Sequence, residues 1–170
     1  MGLLKILLAG VLSIVMAGLI IVYSGVYSVA ADEPHFSATR WLLQTARNRS
    51  IAVRLNGIAV PDDLQRAARI ERGGELYGST CQRCHLGPGV DPTALHRGLN
   101  PKPPRLETHA GHHGLAEQFW IAKHGIKMTG MPAWGETLTD TELWDIVAFL
   151  DQLPAMAPET FQNYTSVSRD

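Results

Sequence analysis

The chain opens on a long apolar run and then changes character. From Ile6 to Ala31 no residue carries charge, and most are Leu, Ile, Val, Ala or Gly. As a single helix this stretch reaches roughly 39 Å, enough to cross a ~30 Å hydrocarbon core with some tilt. It exceeds the apolar region of an ordinary signal peptide, so it reads as an uncleaved anchor. A cleaved leader is the competing reading, supported by the small residues Ser28-Val29-Ala30-Ala31. Either way the rest of the chain is exported, and Lys5 stays on the cytoplasmic side. Gly10, Ala17 and Ser24 recur at every seventh position, with Gly18 and Gly25 beside them. That stripe of small residues would allow another helix close in lipid.

The remainder alternates short helical patterns with Gly- and Pro-rich breaks. Ser37 is placed to cap a basic amphipathic helix through Arg40, Trp41, Leu42, Arg47, Arg49 and Ile51 to Arg54. Such a helix suits a lipid surface or a partner subunit equally. Asp62 or Asp63 can cap a helix carrying Leu64, Ala67, Ala68, Leu76 and Tyr77. Gly73-Gly74 in its interior costs about 1 kcal/mol per residue relative to Ala, which implies close approach of another helix. Pro101, Pro103 and Pro104 make 96–106 a loop. Leu115–His124 reads as a helix with Gly125 as its C-cap. Residues 128–135 form a loop. Thr139-Asp140-Thr141-Glu142 is a capping box for a last helix, with Leu143, Ile146, Val147 and Leu150 as its apolar stripe and Pro154 as its end. Residues 155–170 show no periodicity and read as an extended tail. The pattern predicts an all-α protein: an anchor at 1–31, a juxtamembrane basic helix and linker at 32–60, a globular domain at 61–154 and the tail at 155–170.

Composition adds little. The net charge of -1 over 170 residues gives no reason to expect a nucleic-acid partner. The two cysteines matter more, because both lie in Cys81-Gln82-Arg83-Cys84-His85. This C-x-x-C-H spacing is the attachment signature of a c-type haem. Two thiols on one turn reach the vinyl groups of one porphyrin edge, and the following imidazole supplies an axial bond to iron. A redox dithiol would need a strand–helix–strand setting, and a zinc site would need two further ligands at matching spacing. Candidates for the second axial position are Met128, Met131, Met156 and the other histidines. Met131 sits between Gly130 and Pro132, which shape a loop able to project one side chain inward. His109, His112 and His113 could hold copper, nickel or zinc, or simply form a polar loop. His124 stands at a helix C-terminus, where a cationic ring is favoured. Phe119, Trp120, Trp134 and Trp144 read as core or pocket residues.

Taken together, Gly73-x-x-x-Tyr77, Cys81-x-x-Cys84-His85, Pro103-Pro104, Thr129-Gly130-Met131-Pro132-Ala133-Trp134-Gly135 and Leu143-Trp144-Asp145-Ile146-Val147-Ala148-Phe149-Leu150 resemble a small bacterial class I cytochrome c over roughly 62–153. The resemblance implies one haem c, covalent through Cys81 and Cys84, with His85 as the proximal ligand and Met131 as the distal one. It also implies that Gly73 and Tyr77 pack against Ile146 and Phe149. The expected function is a periplasmic electron carrier held in the bacterial inner membrane by a single span. It would exchange electrons with redox proteins as a subunit of a membrane complex, without a small-molecule substrate or catalysis of its own. A peroxidase or haem-based sensor with a labile distal Met is the rival.

Overall fold

The computed structural model describes residues 2–166, and among these every regular element is helical. The chain divides into two units, Met1–Pro34 and His35–Asp170.

The first unit is one helix, α1 (Gly2–Ser24), of 23 residues and with no buried position. It is about 35 Å long at 1.5 Å per residue, and its length and hydropathy are those of a membrane span. The helix is displaced from the expected 6–31: it takes in Lys5 and stops at Gly25, whose φ of +66° breaks the helical path.

The second unit begins with α2 (Ser37–Ala52). Ser37 does not cap it; Phe36 occupies the cap position and no side chain accepts a bond there. Nor do Asp62 or Asp63 cap the next helix, α3 (Ala67–Thr80), which starts beyond Leu64 after Arg66. Asp63 is otherwise engaged, 3.0 Å from Arg69 Nε. Three short helices follow: α4 (Gln82–His85), α5 (Ala94–Gly98) and α6 (Leu106–His109). Residues 94–98 lie partly inside the expected Pro-rich loop, where Thr93 caps α5 by accepting from the His96 backbone N–H. α7 (Leu115–His124) ends at Gly125 with φ +63°, as its sequence predicts. α8 (Asp140–Gln152) carries the full Thr139/Glu142 capping box, and all four residues of its predicted stripe are buried.

The largest departure is at the C-terminus. Within the stretch expected to be an extended tail, Pro158–Thr165 forms α9 and Phe161 on it is fully buried, while 167–170 lie outside the described residues. Two turns are too short to announce themselves by periodicity, and α9 owes its order to the surface it covers.

That surface is the crossing of α3 and α8. A Cβ on Gly73 would collide with the Asp145 backbone carbonyl, so the two helices meet at backbone distance. Gly74 and Gly78 on the same helix receive Tyr164 and Thr165 of α9. Two clusters flank the crossing. One gathers Leu64, Phe119, Leu143, Trp144 and Val147, with Phe119 stacked on Trp144 at 4.3 Å and 9°. The other gathers Tyr77, Ile146, Phe149, Leu153 and Phe161. Asp145 is buried at the crossing with both carboxylate oxygens engaged, 2.7 Å from Arg69 Nη1 and 2.8 Å from Arg72 Nε.

Candidate haem site

α3 delivers the motif. Its C-terminus runs into the single turn α4, so that Cys81, Cys84 and His85 share one turn of chain, with the Cys84 and His85 N–H groups both donating to the Cys81 carbonyl. The two cysteines form no disulfide with each other. Desolvation pushes the Cys81 thiol up to about 11, partly offset by the Thr80 hydroxyl beside it.

The turn is held from several sides. His85 Nδ1 lies 2.8 Å from the Pro104 carbonyl. A carbonyl can only accept, so Nδ1 carries the proton and Nε2 is left with a lone pair. Burial also lowers the His85 pKa, against the opposing pull of that carbonyl, and keeps the ring neutral. His96 Nδ1 donates to the Cys84 carbonyl at 2.7 Å, and Thr93 Oγ1 donates to the Arg83 carbonyl at 2.7 Å. Tyr77, fully buried, donates its hydroxyl to the Leu86 carbonyl at 3.0 Å. Burial raises the Tyr77 pKa well above 10, so the proton stays available for that bond. Arg105 donates to the Gly87 and Val90 carbonyls and pairs with Glu107.

Leu86 itself has φ +63°, a conformation costing a non-glycine residue about 1–3 kcal/mol. It is fully buried, and the Tyr77 bond to its carbonyl helps to hold it there. Sequence reasoning did not single out His96, Thr93 or Arg105. Nor did it place Pro104 beside His85; the Pro103-Pro104 pair reads only as part of a loop and of the family motif.

The methionines separate clearly. Met128 is 77 % exposed and Met131 is half-buried. The Met131 N–H donates to Thr129 Oγ1 at 3.1 Å, and its carbonyl accepts from the Ile126 N–H. Gly125 is pressed against the Met131 and Pro132 backbone, where a Cβ would not fit. The 125–132 loop is thus tied to the end of α7 on both sides of Met131. Met156 is instead packed against the Tyr77–Phe161 cluster.

The histidine-rich loop does not converge. His109 Nδ1 lies near the Arg105 carbonyl and the Thr108 hydroxyl, while His113 pairs with Glu117 at 3.1 Å. The side chain of His112 lies outside the described residues. No group of three or more His, Cys, Asp or Glu positioned to hold a metal ion occurs among the described residues. His124 ends α7 and lies 4.7 Å from the Trp120 ring.

The motif residues fit a haem: two thiols on one turn and a neutral imidazole presenting Nε2. Residues 68–150 match the family described as cytochrome C oxidase, cbb3-type, subunit III, a c-type cytochrome domain. No curated protein matches the chain.

Proposed function

From the premise that 68–150 is a c-type cytochrome domain whose cofactor is covalent haem c, we propose that the chain is a membrane-anchored, periplasmic electron carrier and that His85 and Met131 are its axial ligands. The single observation that carries the His85 assignment is the His85–Pro104 bond. It fixes the tautomer and aims Nε2 away from the backbone, as a metal-bound imidazole requires.

When bound, haem c supplies a reversible one-electron couple between ferrous and ferric iron. Cys81 and Cys84 would tether it through thioethers, so the site cannot lose it by dissociation. His85 would donate through Nε2, and the Pro104 carbonyl would strengthen it as a donor by drawing on the Nδ1 proton. Met131 would offer a neutral, polarisable sulfur, which favours the reduced state and raises the potential. Were His85 and Met131 both to ligate the iron, the chain would leave it no position for oxygen or peroxide, the arrangement of a carrier rather than a catalyst.

α1 would hold the domain at the membrane, Lys5 marking the cytoplasmic end. The matched family is named for a subunit of an oxidase. Together with the small-residue stripe on α1, that name supports membership of a membrane complex that includes other redox proteins.

The test is spectroscopic. The oxidised protein should show the weak red sulfur-to-iron band, and the reduced protein should bind carbon monoxide poorly. Ready carbon monoxide binding would instead favour a ligand-binding haem protein or peroxidase. Gentle detergent extraction should recover the chain with partner subunits; recovery as a monomer that still transfers electrons would support a tethered shuttle.

A further inference from the structure

α4 is a single turn, so its last carbonyls find no partner within it. α5 supplies partners for two of them. Thr93 Oγ1 donates to the Arg83 carbonyl at 2.7 Å, and His96 Nδ1 donates to the Cys84 carbonyl at 2.7 Å. A carbonyl only accepts, so Nδ1 of His96 carries a proton. The two donors are themselves joined, because Thr93 Oγ1 accepts from the His96 backbone N–H at 3.0 Å. His96 is 5 % exposed, which leaves its ring little water to bond instead.

The consequence lies in which peptide units are held. The unit joining Cys84 to His85 has its N–H on the Cys81 carbonyl at 2.9 Å and its oxygen on His96. The unit before it, joining Arg83 to Cys84, has its N–H on the same carbonyl at 3.1 Å and its oxygen on Thr93. Both planes flanking Cys84 are thus fixed at both polar ends, and neither turns without breaking a bond. Cys84 is one tether of the haem and His85 its axial ligand. The peptide between them therefore governs the angle of the His85 ring to a macrocycle held at Cys84. Pro104 fixes that ring at its far side, through Nδ1, and the peptide fixes it at its root.

We propose that His96 is a positioning residue: by holding the Cys84 carbonyl it sets the plane of the His85 imidazole relative to the haem. This rests on the reading of His85 as the proximal ligand of a haem tethered at Cys84. Without the donor, the Cys84 carbonyl loses its partner in a site shielded from water, which costs more than the bond itself is worth. The peptide then turns toward another donor and carries the root of His85 with it.

The test uses the ferric holo-protein with cyanide added. Cyanide displaces the distal ligand and is linear, so the hyperfine-shifted haem methyl resonances then report the His85 plane whatever the native distal ligand is. His96→Leu, which removes the donor, should reorder those resonances relative to the parent. His96→Asn places an amide nitrogen where Nδ1 stands and should restore the parent order. Thr93→Val keeps the imidazole but removes its cap and the bond to Arg83, and should shift the same resonances to a smaller extent. A parent-like pattern in His96→Leu, with only the melting temperature lowered, overturns the proposal, because a purely structural brace costs stability without turning the ring. Where His96→Leu does not mature with haem, a parent-like pattern in Thr93→Val overturns it instead. So does a His96→Asn variant that follows His96→Leu. Failure of the underlying reading shows in the parent itself: without covalent haem no haem stain survives denaturation, and with another proximal ligand the His85 ring protons carry no hyperfine shift.

Discussion

Replacing Phe161 with Ala tests whether α9 is part of the fold rather than an appendage. The ring is fully buried and meets Tyr77 edge-on at 6.0 Å and Phe149 at 6.1 Å. Its tip also fills the space beside Gly87, where a Cβ would strike it. Removing a fully buried Phe side chain costs about 3–5 kcal/mol, through lost transfer free energy and the cavity left behind. In a domain of this size, that lowers the melting temperature by roughly 10–20 °C. The effect should reach the haem turn, because Gly87 stands two residues past His85 and Tyr77 bonds the Leu86 carbonyl between them. The assay is thermal unfolding of the holo-protein followed by far-ultraviolet circular dichroism and, in parallel, by haem absorbance. Both should shift together, and Phe161→Leu should recover most of the loss. A melting temperature within about 2 °C of the parent would refute the reasoning and restore the C-terminal residues to a dispensable tail.

Changing Cys81 and Cys84 together to Ala should abolish haem retained on a denaturing gel; retention would overturn covalent attachment at these thiols. Met131→His should remove the red band and lower the midpoint potential by on the order of 100 mV in redox titration, whereas Met128→Ala should leave both unchanged. Gly73→Ala inverts a helix rule: instead of gaining the usual ~1 kcal/mol of an exposed helix interior, it should lose stability in denaturant titration, because the new methyl meets the Asp145 carbonyl. The Glu142 carboxylate accepts from the Thr139 backbone and hydroxyl, bonds that lower its pKa. Its contribution is therefore complete above the ordinary carboxylate range and is lost as pH falls through the lowered value. The melting difference between the parent and Glu142→Gln should accordingly shrink in acid.

What could be read from the sequence was whatever carries a local signature. The capping box at Thr139, the glycine stop at Gly125 and the stripe of α8 each depend on residues within a turn or two, and each stands as read. Gly73 was legible as a close contact because glycine inside a helix needs a reason. The failures share a cause: the deciding partner was distant in sequence. Asp63 has the chemistry of an N-cap but spends it on Arg69. Phe161 and Tyr164 sit in a stretch without periodicity and are ordered by Gly74, Gly87 and Phe149, far upstream. His96 looked like one more polar residue in a Pro-rich loop, yet it is buried and braces the Cys84 carbonyl. The motif identified the haem turn; the side chains that hold it in place gave no comparable signal.

Asp145 shows how the same distance problem organises the core. A buried carboxylate is costly unless paired and fully hydrogen-bonded. Here both oxygens are met by guanidinium groups on one face of α3, Arg69 and Arg72, three residues apart. Gly73 is next to Arg72 and lies directly under the Asp145 backbone. The glycine lets α8 descend to contact, and the arginines fix where along α3 it lands. Sliding α8 by one turn would leave a buried charge unpaired, a penalty of about 3–5 kcal/mol, and would drive side chains into the notch that Gly73 leaves. The register of this crossing sets the position of Tyr77, one turn further along α3, against Phe149 at 5.3 Å. Tyr77 in turn holds the Leu86 carbonyl, immediately after His85. The ion pairs remote from the haem turn are thereby connected to it through one helix and the hydrogen bond of Tyr77. Asp145 is linked to that turn through the register of the α3–α8 crossing that its ion pairs fix.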